Sequence, residues 1–147
     1  MTAWTDFKPG AQFNLGTLEL SADEIKAFAA EYDPQPFHLD EEAAKNSMLG
    51  VLAASGWHTL TLTKKRLVET ILNTPAYGGA LNYGEVKWKR PFAADMPHTL
   101  HVEVAARDET SPFPTYGTVH LQGHLVNADD TPALIFDMAV AMKRETA

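Results

Sequence analysis

In the second half of the chain, apolar positions recur at every second residue. Leu100, Val102 and Val104 form one such run; Leu134, Phe136, Met138, Val140 and Met142 form another. A period of two marks a strand with one buried face. Four strands are predicted, over residues 81–90, 99–107, 116–127 and 132–143, separated by turn-forming stretches at 91–97, 108–114 and 128–131. The first half has a different rhythm. Phe13, Leu15, Leu18 and Leu20 predict a strand over residues 12–20, interrupted at Gly16. Ser21 and Glu24 then have the spacing of a capping box, ahead of Ile25, Phe28 and Ala29 at helical spacing.

That helix should end near Asp33, because Pro34 disfavours helical backbone in the residue before it. Residues 34–38 are expected to be extended or turning, and Asp40 to cap a short helix running to Lys45. After the apolar stretch 48–54 comes a longer helix. Trp57, Leu60, Lys64, Leu67 and Ile71 are expected on one of its faces, with Lys64, Lys65 and Arg66 at or beside the exposed side. One substantial helix among five strands predicts an α+β fold, an antiparallel sheet wrapped around that helix. Residues 1–147 suit one domain, and a homodimer would cover the sheet's open edge.

Composition narrows the picture. With 45% hydrophobic and 21% charged residues the sequence reads as an ordinary globular protein, and no apolar run approaches the roughly 18–20 residues of a membrane span. The formal charge of −7 argues against general nucleic-acid binding, which depends on Lys and Arg neutralising phosphates. There are no cysteines, so disulfides, Cys-bound zinc and cysteine nucleophiles are excluded. The first residues show no basic segment leading into an apolar one, and a cytoplasmic location is expected.

The candidate chemistry lies in Asp33-Pro34-Gln35-Pro36-Phe37-His38 and in Ser55-Gly56-Trp57. The first segment sets a carboxylate and an imidazole five positions apart on a loop stiffened by two prolines, the pairing that general acid–base catalysis uses. The second puts a glycine at the expected start of the long helix. Helix N-terminal amides are unpaired donors, and a glycine N–H can be approached closely, which suits stabilisation of an oxyanion.

Asp33-x4-His38 with Pro36, Leu39 and Asp40, then Ser55-Gly56-Trp57, then Trp88-Lys89-Arg90-Pro91-Phe92 resemble, in order, the motifs of the MaoC-like dehydratases and R-specific enoyl-CoA hydratases. The resemblance implies a hot-dog fold, a homodimer with joined sheets, and an acyl-CoA thioester as partner. It further implies hydration of a trans-2-enoyl-CoA to an (R)-3-hydroxyacyl-CoA, with no cofactor and no metal. Asp33 and His38 would activate water, and the Gly56 N–H would bind the thioester oxygen. Pro36, Phe37, Ser55 and Trp57 are expected to border the substrate. Gln35 stands where the family often has Asn, and Ser55 and Trp57 replace the commoner His and Met, departures that bear on substrate choice.

Two other functions fit such a chain: a hot-dog thioesterase and a non-catalytic acyl-CoA or lipid-binding module. Asp33-x4-His38 favours hydration, since hydrolysis gives the histidine no particular reason to be there. The other histidines are expected to be structural. His120 and His124 would sit about 13 Å apart along a strand, too far to share a zinc ion. His98 and His101 should diverge, and His58 is expected to pack rather than support the site. Lys87, Lys89 and Arg90 are the candidates for CoA phosphates.

Overall fold

The capping box at Ser21 forms as its spacing predicts: Ser21 Oγ accepts from the Glu24 N–H at 3.1 Å, and the Glu24 carboxylate accepts from the Ser21 N–H at 3.1 Å. In the computed structural model, which describes residues 2–145, this cap opens helix α1 (Ala22–Tyr32). The outermost residues of the expected 1–147 domain lie outside the described residues. A strand, β1 (Gln12–Leu18), precedes α1. Gly16 has a φ of +82° at a break in β1's pairing, so the expected interruption is a bulge. Arg66 fills the space beside it and donates to the carbonyls of Leu15 and Thr17. Arg66 is thus a brace between helix and strand, while Lys65 faces solvent and pairs with Glu69.

Residues 34–38, expected to be extended or turning, turn. Pro36–Leu39 forms a single helical turn, α2, with Pro36 at its first position, where a missing N–H costs nothing. Asp40 ends α2 and caps α3 (Glu41–Lys45), accepting from the Ala43 N–H at 2.8 Å. The long helix, α4 (Gly56–Glu69), buries Thr59, Leu60, Thr63 and Leu67. The expected stripe through Trp57 and Lys64 is therefore rotated. Trp57 is 63% exposed, and two threonines take its place in the core.

Four more strands follow: β2 (Tyr77–Trp88), β3 (His98–Asp108), β4 (Tyr116–Val126) and β5 (Pro132–Lys143). They join β1 in one antiparallel sheet of order β1-β3-β4-β5-β2. β2 begins earlier than residue 81, through a glycine pair and several register shifts that its place at the sheet edge tolerates. The alternating residues of β3, β4 and β5 bury one face: Leu100, Val104, Leu121, Leu125, Phe136 and Val140 pack in one core with Leu60 and Leu67 of α4. At roughly 25 cal/mol per Å² of apolar surface, this shared face is the main force holding sheet to helix. It is the hot-dog arrangement. Among the described residues, no helix is long and apolar enough to cross a membrane.

Candidate active site

Three segments meet at the open end of α4. The α1–α2 turn carries Asp33 and His38. Residues 52–54 run extended beside residues 92–94, through an Ala53–Ala93 bridge and bonds from Ala54 N–H to Phe92 O (3.0 Å) and from Ala94 N–H to Leu52 O (3.1 Å). The end of β2 supplies Trp88. Between them lies a cleft of about 510 Å³, lined by Asp33, His38, Gly56 and Trp57 and walled by Phe37, Leu49, Trp88 and Phe92. A larger hollow of about 640 Å³ lies on the outer face of the sheet, among His101, Glu103, Gln122 and His124. It is an open sheet surface without a buried acid–base pair, so the smaller cleft is the better candidate.

His38 is buried, and its Nδ1 lies 2.8 Å from the carbonyl oxygen of Ala53. A carbonyl only accepts, so Nδ1 carries the proton and, in the neutral ring, Nε2 presents a lone pair. That lone pair faces Asp33 Oδ2 at 3.6 Å, too far for a direct hydrogen bond. The Gln35 amide donates to Asp33 Oδ1 at 2.7 Å and fixes the carboxylate. Gln35, expected only to alter how the loop is pinned, is itself the pin.

The Ser55 hydroxyl, then the Gln35 amide and the His38 ring, hold the Asp33 carboxyl below its ordinary value, against partial burial, which pushes it up. Ser55 Oγ is buried and makes no well-formed hydrogen bond of its own. Its influence on Asp33 is therefore that of a close but poorly aligned hydroxyl. A lowered folded pKa contributes stability that is full above the ordinary carboxyl value of 3.8 and is lost as pH falls through the lowered one. Ser55→Ala is accordingly expected to flatten the fall of Tm between about pH 5 and pH 3, measured by thermal melts against the parent. An unchanged slope would show that Ser55 does not tune this carboxylate.

Asp33, His38, Gly56, Phe37 and Trp57 meet at the cleft as the sequence suggests, but two expected substrate neighbours do not line it. Ser55 is buried behind Asp33, at the N-cap position of α4 but with no capping bond from its side chain. Pro36 is exposed on the outer side of its turn. Lys89 and Arg90 reach the cleft rim, whereas Lys87 pairs with Glu85 at 3.1 Å. His58 stacks on Phe28 with ring centroids 4.2 Å apart, and burial lowers its pKa, as suits a packing residue. His98, the first residue of β3, is buried against Phe92, with ring centroids 4.6 Å apart. Among the described residues, no group of three His, Cys, Asp or Glu is placed to hold a metal ion.

Trp88 is the site residue that sequence reasoning placed only as part of a strand. Its Nε1–H donates to the Gly56 carbonyl at 2.8 Å, across 32 positions of sequence, and no local pattern signals that contact.

A model of the MaoC like domain matches residues 6–119. The uncharacterized protein YdeM of Bacillus subtilis (strain 168) is 39% identical over 64 residues, which span 44% of this chain and 45%, under half, of that relative. The solved MaoC-like dehydratase from Rhodospirillum rubrum is 32% identical over the whole of both chains, with a TM-score of 0.89. The (R)-hydratase from A. caviae involved in PHA biosynthesis is 23% identical and shares the fold, at a TM-score of 0.75 over 92% of this chain and 96% of that one. With more than half its length under the family model and a full-length relative at this identity, the chain belongs to the MaoC-like dehydratase family.

Proposed function

We propose that the protein reversibly hydrates a trans-2-enoyl-CoA, or a related enoyl thioester, to the (R)-3-hydroxyacyl thioester. One observation carries this above the others. Asp33 Oδ2 and His38 Nε2 face each other 3.6 Å apart, and the Ala53 carbonyl holds the imidazole in the tautomer that leaves Nε2 free. An ionised carboxylate and a bare imidazole nitrogen are both acceptors, and a water seated on the cleft side of the two donates one hydrogen to each.

That water is poised for addition. As its oxygen bonds to C3 of the enoyl group, the pair takes one proton from the water and returns one proton to C2, so that water adds across the double bond. Negative charge gathers on the thioester oxygen during the step. The N–H of Gly56, at the positive end of α4, is the donor for it. Lys89 and Arg90 at the rim suit the phosphates of a CoA carrier. The (R)-hydratase and MaoC-like dehydratase among the solved relatives support the same class of reaction.

The same proposal takes residues 1–147 as one domain, acting in the cytoplasm as a homodimer. The open edge of β2 and the exposed Met48 and Trp57 beside the cleft offer surface for a second copy.

Crotonyl-CoA tests the reaction directly. Loss of enoyl absorbance with no free thiol is the expected result. Thiol release would replace hydration with thioester hydrolysis, and binding without turnover across several chain lengths would leave a carrier module.

A further inference from the structure

We propose that Trp88 is a positioning residue, which holds the first turn of α4 so that the Gly56 amide stays aligned with Asp33 and His38. This rests on the hydratase function proposed above. The start of α4 lacks its usual anchors. Ser55 occupies the N-cap, yet its hydroxyl caps nothing and lies by the Asp33 carboxylate instead. The first helical residue is glycine, among the weakest helix formers. A helix start with neither a side-chain cap nor a favourable first residue frays.

The indole of Trp88 supplies the missing hold from outside the helix. Its Nε1–H donates to Gly56 O at 2.8 Å. Its ring fills the space a side chain at 56 would need: an added Cβ would come within 2.7 Å of Nε1 and 2.8 Å of Cε2. The role of glycine here is thus sharper than simple openness to a ligand, because any larger residue expels the indole. Trp88 itself is firmly held. It ends β2 opposite Leu134 of β5, and the next residue, Lys89, bonds through its N–H to Ala133 O at 2.8 Å. Trp57, the second residue of the helix, packs edge-on against it, centroids 5.9 Å apart, and adds a second contact to the same anchor. A ring that only filled space would not need its N–H turned onto a helix carbonyl while 46% of the residue stays exposed.

The test is a cycle of variants on crotonyl-CoA. Trp88→Phe keeps a ring and loses the N–H; kcat should fall about tenfold, the most one neutral hydrogen bond supports, with KM changed less than about threefold. Gly56→Ala should cost about a hundredfold in kcat, a misplacement effect. Adding Gly56→Ala to Trp88→Ala should cost less than about threefold more, since the methyl then meets no indole. Independent losses in the double variant, or an unchanged kcat in Trp88→Phe, would overturn the proposal. Hydrogen exchange at Thr59 and Leu60, the first amides bonded inside α4, reads the same hold without turnover. It should quicken in Trp88→Phe, and equal exchange would overturn the proposal even if the parent protein hydrates nothing, an outcome that would instead remove the hydratase function.

Discussion

Asp33→Asn should lower kcat for enoyl hydration by roughly 10²–10⁴-fold, the range that a positioned general acid or base contributes. The substitution keeps the shape of the side chain. Asn Oδ1 can still accept from Gln35, whose amide holds the carboxylate oxygen at 2.7 Å in the parent. What changes is the other atom. Oδ2, an acceptor facing His38 Nε2 across 3.6 Å, becomes an NH₂ that presents a donor there. A site that offers a water two acceptors then offers it one acceptor and one donor. Water loses one of its two acceptors, and the carboxylate no longer shares the proton transfer. Thermal stability at neutral pH should fall slightly, because the hold of Ser55 and Gln35 on the ionised carboxylate is lost along with turnover. Steady-state kinetics beside a melting curve would check both halves. A variant that kept more than a tenth of the parent kcat would remove Asp33 from the chemistry.

Sequence and structure agree where signals are local. Ser21 and Glu24 are three residues apart, and the box they form depends on nothing beyond that turn. Strand β3 follows its alternation because it buries one face; β5 keeps its stripe, although Ala139 and Ala141 on its other face are buried as well. Agreement fails where a polar residue finds its own partner. Thr59 and Thr63 lie outside the predicted stripe, yet each turns its hydroxyl onto a carbonyl one turn back, Ser55 O at 3.3 Å and Leu60 O at 2.7 Å. Satisfied in this way, they enter the core at little cost, and the buried stripe of α4 shifts from Trp57 to them.

The site divides along the same line. Asp33 and His38 are legible as a pair because they share one stiff loop. What tunes them comes from afar in sequence: the Ala53 carbonyl 15 residues on, Ser55 behind the carboxylate, and the Trp88 indole at the end of a later strand. Each contact exists only once sheet and helix have closed, so no spacing rule announces it.

Two substitutions at His38 should separate its two nitrogens. In the parent, Nδ1 donates to Ala53 O and ties α2 to the extended strip before α4, while Nε2 faces the cleft. Asparagine places its amide nitrogen near the position of Nδ1; glutamine, one carbon longer, places it near Nε2. His38→Asn should keep the bond to Ala53 and the fold's stability, yet lose roughly 10²–10⁴-fold in kcat because nothing replaces the Nε2 base. His38→Gln should lose as much activity and in addition about 1–3 kcal/mol of stability, since it leaves the buried Ala53 carbonyl without a donor. Urea unfolding of the two variants reads that difference, and kinetics read the shared loss. Equal stabilities would mean that the bond to Ala53 does not fix the ring. An active His38→Asn would mean that Asp33 alone handles the proton. With the ring locked through one nitrogen, the other stays aimed into the cleft.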